Sequence, residues 1–221
     1  MRIGFITGIE KEAAIIREKT SYSDILCAGA NSDNAYRQAN ELAKNGCDIL
    51  VSFGVAGALD PMLTSGDIIL PRSVTNETGI TFEVDLDLNQ IVTSHLSEYF
   101  KISSGILYGS NTVISDADEK QKLNHSLGTT AVDMESFGVA KAAQENDCPF
   151  LIVRAIADMA QQSLPAASLH AIDQNGNIKI GRVMIDLAKK PSDLWGLIKL
   201  GSNSRKAFAS LSRVALFGFG F

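Results

Sequence analysis

The chain has 221 residues, 45% of them hydrophobic and 20% charged, which is typical of one sizeable globular domain spanning residues 1–221. Its formal net charge of −5 leaves no basic stripe, which argues against nucleic acid as a partner. Three scattered cysteines (Cys27, Cys47 and Cys148) are too few for a disulfide framework or a metal site, so we expect reduced, buried thiols. No cleavable leader pattern opens the chain and no long apolar run crosses it, so we expect a cytoplasmic protein.

The first half of the chain alternates short apolar runs with segments of helical spacing. Gly8 breaks the first apolar run, and Ile9, Ala13 and Ile16 then recur as on one face of a helix. The pattern predicts strands over 2–7, 23–28, 48–53, 67–71 and 103–108, and strands within 73–84 around a turn at 76–79. It predicts helices after Gly8 and over 33–45, 88–100 and 116–125.

The segment 131–160 carries the densest pattern of the chain. Asp133 and Glu135 lead into a helical pattern, and residues 150–156 are then apolar apart from Arg154. A run without in-out alternation predicts a central parallel strand that is covered on both faces. Beyond it, the spacing predicts helices over 180–189, 191–200 and 205–216. This alternation predicts an α/β fold, a three-layer α/β/α sandwich around a mixed, largely parallel sheet.

Two carboxylates and one Gly-rich segment are candidate site residues. Asp158 follows the 150–156 strand, at the edge where open α/β sheets hold ligands, although many such residues are helix N-caps. Glu12 lies in the first turn after Gly8, where carboxylates are favoured with or without a function. The small residues of 54–57 follow a strand as a predicted turn and would let a ligand approach the backbone closely.

The segment VDMESFGVAKAAQENDCPFLIVRAIAD (132–158) resembles the nucleoside phosphorylase and nucleosidase superfamily, purine phosphorylase family 1. Within it, the chain looks most similar to the hopanoid-associated group of adenosylhopane-cleaving enzymes, with the methylthioadenosine/S-adenosylhomocysteine nucleosidases as near relatives. The segment GVAGALDPMLTSGDIILP (54–71) and the strand-Gly-x-x-x-Glu start are also similar to this superfamily.

The resemblance implies a role for each candidate residue. Met134 and Glu135 would bind the ribose, Asp158 would protonate the purine as general acid, and Glu12 would position the attacking water. The other implied residues form a base pocket (Val113, Ile114 and Ala157) and a nucleophile pocket (Gly8, Gly54, Val55, Ala56 and Gly57). Three of them depart from relatives: Val113 replaces an aromatic residue, and Val55 and Ala157 replace serines.

The nucleophile separates two enzyme classes. A phosphorylase would use phosphate as co-substrate and would need an Arg clamp, but no Arg stands directly before Gly54 and Glu12 would repel the anion. We therefore predict hydrolysis without a cofactor, with phosphorolysis as the alternative. The favoured substrate is adenosylhopane, cleaved to adenine and ribosylhopane in hopanoid biosynthesis, and the alternative is methylthioadenosine or S-adenosylhomocysteine. A non-catalytic nucleoside-binding protein also stays open, whereas a redox dinucleotide enzyme is disfavoured because G-x-G-x-x-G is absent near Gly8.

The segments outside the candidate site residues, and the partners of the chain, can also be predicted. The resemblance implies a small-molecule nucleoside partner, a homodimer and, through a very hydrophobic substrate, transient contact with membrane or lipid. Residues 161–167 resemble a flap over the site, and residues 173–176 predict a turn. The apolar end, LFGFGF (216–221), predicts a tail docked on the core or an oligomer contact. A third possibility is that it forms a path for a very hydrophobic substrate. The histidines His95, His125 and His170 lack metal-ligand spacing and receive no role.

Overall fold

A computed structural model describes residues 1–168, 173, 175–177 and 179–221, and in these residues one sheet is covered by helices on both sides. The strands are β1 (Ile3–Thr7), β2 (Ile25–Cys27), β3 (Ile49–Ala58), β4 (Ile68–Ile69), β5 (Ser73–Thr75), β6 (Thr81–Glu83), β7 (Ile102–Ser103), β8 (Ile106–Gly109), β9 (Thr129–Asp133) and β10 (Phe150–Asp158). The α-helices are α1 (Glu10–Lys19), α2 (Ser32–Lys44), α3 (Leu86–Leu96), α4 (Ala117–Leu127), α5 (Ser136–Glu145), α6 (Ile180–Lys189) and α7 (Leu194–Phe217). Short 3₁₀ turns lie at Ala166–Ser168 and Pro191–Asp193.

The sheet is mixed and largely parallel, as the sequence predicts. Its strand order is β6-β5-β8-β9-β3-β10-β4-β7, with β1 beside β3 and β2 beside β1. Among the described strands, only the β3–β9, β10–β4 and β5–β6 pairs are antiparallel. β10 is buried along its whole length beside the parallel β3, in agreement with the prediction of a covered central strand.

Strand β3 creates the opening in which the candidate site lies. Along one edge it pairs in parallel with β1 up to Ser52, and then in antiparallel with β9 from Gly57 onward. The carboxyl ends of β1 and β9 therefore approach the same stretch of β3 from opposite directions. The residues that follow these two strand ends line a common cavity.

Two apolar clusters hold the helices against the sheet. Helices α2 and α5 cover one face, where Ala35, Ala39 and Val139 are fully buried. Helices α1 and α7 cover the other face, with Ile16 and Leu211 fully buried there. The alanines of α2 and α5 allow these helices to pack closely, because small side chains shorten the distance between helix axes.

Three predicted elements were wrong in extent or type. The Gly-rich stretch 54–57 is not a turn, because β3 continues through it to Ala58. Asp133, predicted to lead into a helix with Glu135, instead ends strand β9 (Thr129–Asp133), which was not predicted, and α5 begins only at Ser136. The two predicted helices over 191–200 and 205–216 are one helix, α7, because no proline interrupts Leu194–Phe217 and Gly201 is accommodated within it.

The apolar end of the chain is docked onto its own core. The ring of Phe219, which is 1% exposed, packs against Phe5 and Phe53 at centroid distances of 5.6 and 6.4 Å. The tail therefore extends the hydrophobic core on the α1–α7 side of the sheet. No helix within the described ranges is long and apolar enough to cross a bilayer.

Candidate active site

The cavity beside β3 has a volume of about 200 Å³ and an apolar wall with carboxylates set into it. Its carboxylate-bearing residues are Glu12, Asp133, Glu135 and Asp158. The residues that line it are Gly8, Ile9, Glu12, Ala30, Val55, Ala56, Gly57, Thr112, Val113, Ile114, Val132, Asp133, Met134, Glu135, Ala157, Asp158 and Leu164. None of these residues is Arg, Lys or His.

Glu12 is held by the backbone at the start of its own helix and by β3. Its Oε2 accepts hydrogen bonds from the N–H groups of Gly8 (2.8 Å) and Ile9 (3.0 Å), and Oε1 accepts one from Val55 (2.8 Å). The carboxylate is therefore both a helix cap and a bridge to the sheet. Burial raises the pKa of Glu12, although Arg154 and these N–H groups oppose the rise. Since each carboxylate oxygen accepts about two hydrogen bonds, Oε1 retains capacity for a water.

Glu135 lies at the junction of β9 and α5, next to a buried ion pair. Arg154 on β10 is fully buried and donates from Nε to Asp133 Oδ2 at 2.6 Å, while its NH2 group lies 3.5 Å from Glu135 Oε2. Its NH2 also donates to the hydroxyls of Ser52 (2.7 Å) and Ser136 (3.1 Å). Burial, together with the nearby Asp133 charge, raises the pKa of Glu135 to about 8. The buried Arg154 guanidinium thus partly compensates the negative charges of Asp133 and Glu135.

Asp158, the last residue of β10, is 9% exposed and forms a salt bridge to Lys120 of α4. Burial raises the pKa of Asp158 above its ordinary value, while the Lys120 ammonium acts in the opposite direction. Asp158 is not a helix N-cap. Its carboxylate lies on the same cavity as Glu12 and Glu135, so the structure places the three predicted carboxylates together.

Three glycines make room for these three carboxylates. A Cβ atom at Gly8 would lie 2.5 Å from Glu135 Oε1, and one at Gly54 would lie 2.7 Å from the Glu12 carboxyl carbon and both of its oxygens. A Cβ at Gly57 would lie 3.1 Å from Asp158 Oδ2. The Gly-rich character of this region is therefore explained by close packing against acidic side chains. The tight turn and direct ligand contact expected from the sequence are not needed to account for it.

The predicted site residues occupy two kinds of position. Eleven line the cavity: Gly8, Glu12, Val55, Ala56, Gly57, Val113, Ile114, Met134, Glu135, Ala157 and Asp158. Gly54 lies behind the Glu12 carboxylate and is absent from the lining. Val113 is 43% exposed and marks the rim of the cavity.

Sequence reasoning missed the two buried cations. Arg154 carried a visible signal, since a charged residue inside an apolar strand requires a buried partner. Lys120 carried none, because it is one of several charged residues on a polar helix. Leu164, in the segment predicted as a flap, does line the cavity.

Other chemistry-bearing residues contribute little to the site. Within the described part of the chain, no group of three or more His, Cys, Asp or Glu side chains is placed to hold a metal ion. Cys47 is buried, but Cys27 and Cys148 are only partly buried, contrary to expectation. The predicted turn at 173–176 agrees with the Asp173 carboxylate, which accepts from the N–H of Asn175 at 2.9 Å. The second residue of this turn, Gln174, lies outside the described residues, as does His170.

The sequence profile of the Phosphorylase superfamily matches residues 2–189. The chain belongs to this superfamily. A 5′-methylthioadenosine/S-adenosylhomocysteine nucleosidase of Buchnera aphidicola is 26% identical over 148 residues, which cover 55% of this chain and 63% of that enzyme's length. The nucleosidase of the same name from Staphylococcus aureus (strain MRSA252) is 24% identical over 177 residues, covering 72% of this chain and 74% of the relative.

Solved structures of nucleosidases have the same fold as this chain. The Neisseria meningitidis nucleosidase in complex with methylthio-immucillin-A superposes with a TM-score of 0.74 at 16% identity, covering 98% of this chain and 97% of that one. The Streptococcus pyogenes S-adenosylhomocysteine nucleosidase in complex with 5-methylthiotubericidin gives 0.75 at 15% identity, covering 98% and 95%. These relatives and neighbours are nucleosidases, the class of enzyme predicted from the sequence.

Proposed function

We propose that this superfamily member hydrolyses the N-glycosidic bond of a 5′-substituted adenine nucleoside. The observation that carries the proposal is the convergence of Glu12, Glu135 and Asp158 on one small, apolar cavity. Breaking the bond between the sugar and the base builds positive charge on the sugar and negative charge on the leaving base. The reaction therefore needs an acid at the base, negative charge at the sugar and a nucleophile on the opposite face of the sugar.

Asp158 serves as the acid. Its burial favours the protonated form, as a group that must donate a proton near neutral pH requires. The carboxyl proton passes to N7 of the purine as the electron pair of the C–N bond moves onto the base. Adenine then leaves as a neutral molecule and Asp158 is left as a carboxylate.

Glu135 and the backbone at Met134 bind the ribose hydroxyls. Hydrogen bonds from sugar hydroxyls to a carboxylate strengthen as the ring becomes cationic, so Glu135 favours the transition state over the bound substrate. Glu135 must be ionised for this role, and sugar binding with its developing positive charge lowers a pKa that burial otherwise holds at about 8.

Glu12 supports water as the nucleophile in place of phosphate. Three backbone N–H groups that would otherwise form an anion-binding site already donate to its carboxylate. The cavity wall contains no Arg or Lys among its described residues, and Arg154 is engaged by Asp133. Glu12 can take a proton from water, whereas it would repel a phosphate dianion.

The 5′ substituent that fits best is small and apolar, as in methylthioadenosine. The lining contains apolar side chains such as Ile9, Ile114 and Leu164, and it offers no cation for the carboxylate of S-adenosylhomocysteine. The similar Buchnera aphidicola and Staphylococcus aureus enzymes are methylthioadenosine/S-adenosylhomocysteine nucleosidases, which supports this substrate class. Adenosylhopane, the substrate favoured by the sequence resemblance, becomes the second candidate. It is supported by the exposed Val113 at the rim, which would let a large apolar substituent extend out of a cavity of about 200 Å³.

The direct test is the release of adenine from each nucleoside, measured by chromatography. We expect methylthioadenosine to be cleaved with kcat/KM of about 10⁴ M⁻¹s⁻¹ or more, and S-adenosylhomocysteine less efficiently. Cleavage of adenosylhopane but not of the other two nucleosides would show that adenosylhopane is the substrate. Tight adenine binding without cleavage of any of the three nucleosides would indicate a binding protein and contradict the proposal.

A further inference from the structure

Lys120 is a fully buried lysine whose ammonium is enclosed by the residues around the candidate acid. Its side chain is 0% exposed, whereas lysines are almost never fully buried unless they are paired. The partner is Asp158 Oδ2. Lys120 does not line the cavity, so it reaches the site only through Asp158.

The ammonium uses all of its hydrogen-bonding capacity in one place. Besides Asp158, Nζ donates to the backbone carbonyls of Gln162 at 3.0 Å and Met159 at 3.3 Å. An ammonium has three donors and no acceptor, so no donor is left for another partner. The three acceptors belong to one short segment, which continues to the cavity-lining Leu164.

The two carboxylate oxygens of Asp158 differ in their hydrogen bonding. Oδ2 accepts a hydrogen bond from Lys120, whereas the backbone of Gly57 packs closely against both oxygens. Within the described residues, Oδ1 has no hydrogen-bond donor. One oxygen is therefore fixed, and the other is available to the leaving base.

We propose that Lys120 is a positioning residue for the general acid: it fixes one oxygen of Asp158 and ties that carboxylate to the segment leading to Leu164. The inference rests on the proposed function and extends it. Lys120 orients the carboxyl group so that Oδ1 faces the purine, and its charge limits how strongly Asp158 retains a proton. Without Lys120, the carboxyl group would rotate freely and hold its proton to higher pH.

The electrostatic part of this proposal depends on few neighbours. Lys120 of α4 is the cation in contact with Asp158. The other carboxylate-bearing residues that line the same cavity are Glu12, Asp133 and Glu135. On the sheet, Gly57 of β3 packs against the carboxylate, and the apolar Val132 of β9 lies beside Gly57. Removal of the Lys120 charge therefore leaves a buried Asp158 near acidic groups only, and both the burial and the negative charges favour its protonated form.

The test compares Lys120→Met with Lys120→Arg, which keeps the charge, and with Lys122→Met as a control at an exposed position of the same helix. We expect Lys120→Met to lower kcat by ~10²-fold through misplacement of the acid, with KM nearly unchanged. The alkaline limb of kcat should move to higher pH by about one unit or more, because the protonated acid persists longer without the cation. Lys120→Arg should restore the wild-type limb and part of kcat, and Lys122→Met should match the wild type.

Lys120→Gln keeps two N–H donors but removes the charge, so the alkaline limb of its kcat–pH profile should also move to higher pH. It replaces Lys120→Met if that variant does not fold. A neutral variant with the wild-type limb, or a loss of kcat that Arg does not relieve at all, would overturn the proposal. Titration of the Asp158 carboxyl carbon by ¹³C NMR, in the wild type and Lys120→Gln, does not depend on turnover. If the wild type releases no adenine, the proposed function fails, while an unchanged titration in the variant separately refutes the role of Lys120.

Discussion

Asp158 combines burial with a single fixed oxygen, and both properties suit a proton donor. Asp158→Asn keeps the shape of the side chain but has no carboxyl proton to donate. We expect turnover to fall by ~10²–10⁴-fold while adenine binding, measured by calorimetry, changes little. Asp118→Asn, at an exposed position of α4, is the control. Wild-type turnover in Asp158→Asn would assign the acid to another residue.

Glu135 makes stability depend on pH. Its pKa in the folded protein is raised to about 8, so the folded state binds more protons than the unfolded state between the ordinary carboxyl pKa and this value. Stability from this group is therefore fully present at acidic pH and is lost as pH rises through about 8. The expected slope of the unfolding free energy is up to about 1.4 kcal/mol per pH unit.

The measurement is urea denaturation of the unliganded protein at several pH values on both sides of neutrality. Glu135→Gln should flatten the pH dependence, because the amide does not titrate. Glu41→Gln, at an exposed position of α2, should leave it unchanged. Equal slopes in the wild type and Glu135→Gln would show that Glu135 has an ordinary pKa in the folded protein.

Among the elements, β3 packs its backbone at two glycines, Gly54 and Gly57, directly against site carboxylates. Gly54→Ala places a Cβ atom 2.7 Å from the Glu12 carboxyl carbon, so the carboxylate must move and lose its bonds to the backbone. We expect a loss of hydrolysis of ~10²-fold or more, as for removal of a general base. Gly201→Ala on α7 meets no atom within 4 Å and should retain full activity. Activity close to the wild type in Gly54→Ala would argue against Glu12 as the group that activates water.

Sequence patterns predicted the existence of the elements better than their ends. The strand at Phe150–Asp158 was visible because an unbroken apolar run has few alternatives, and α6 was predicted with its observed bounds. Strand β9 was missed because the acidic residues at its end look like the first turn of a helix. β3 was cut short because glycines normally end strands, whereas here they are required by the carboxylates packed against them.

The residues that line the site were largely predicted, but the cations that balance its charge were not. Glu12, Glu135 and Asp158 were identified from strand ends and the family resemblance, and the structure places them on one cavity. The compensating cations, Lys120 and Arg154, depend on contacts between residues 21 to 38 positions apart in sequence. No local pattern encodes such distances, so the charge balance of the site became visible only in three dimensions.

At the level of the whole molecule, the oligomeric state remains a prediction. The apolar tail offers no support for a homodimer, since Phe219 is buried within its own chain, so the expectation rests on the family resemblance. We expect a dimer at micromolar concentration by light scattering. The mass of a single chain under those conditions would contradict it.

The arrangement of the whole fold leads to one claim above the others, that water is the nucleophile. The end of β1, the start of α1 and the middle of β3 all direct backbone N–H groups at Glu12, which occupies the place of a bound anion. The most direct measurement is therefore the identity of the sugar product from methylthioadenosine, with and without phosphate in the buffer. We predict free 5-methylthioribose at a rate that does not depend on phosphate, and loss of this product in Glu12→Gln. A sugar 1-phosphate formed at a rate that rises and saturates with phosphate, with Glu12→Gln still active, would contradict the assignment as a nucleosidase.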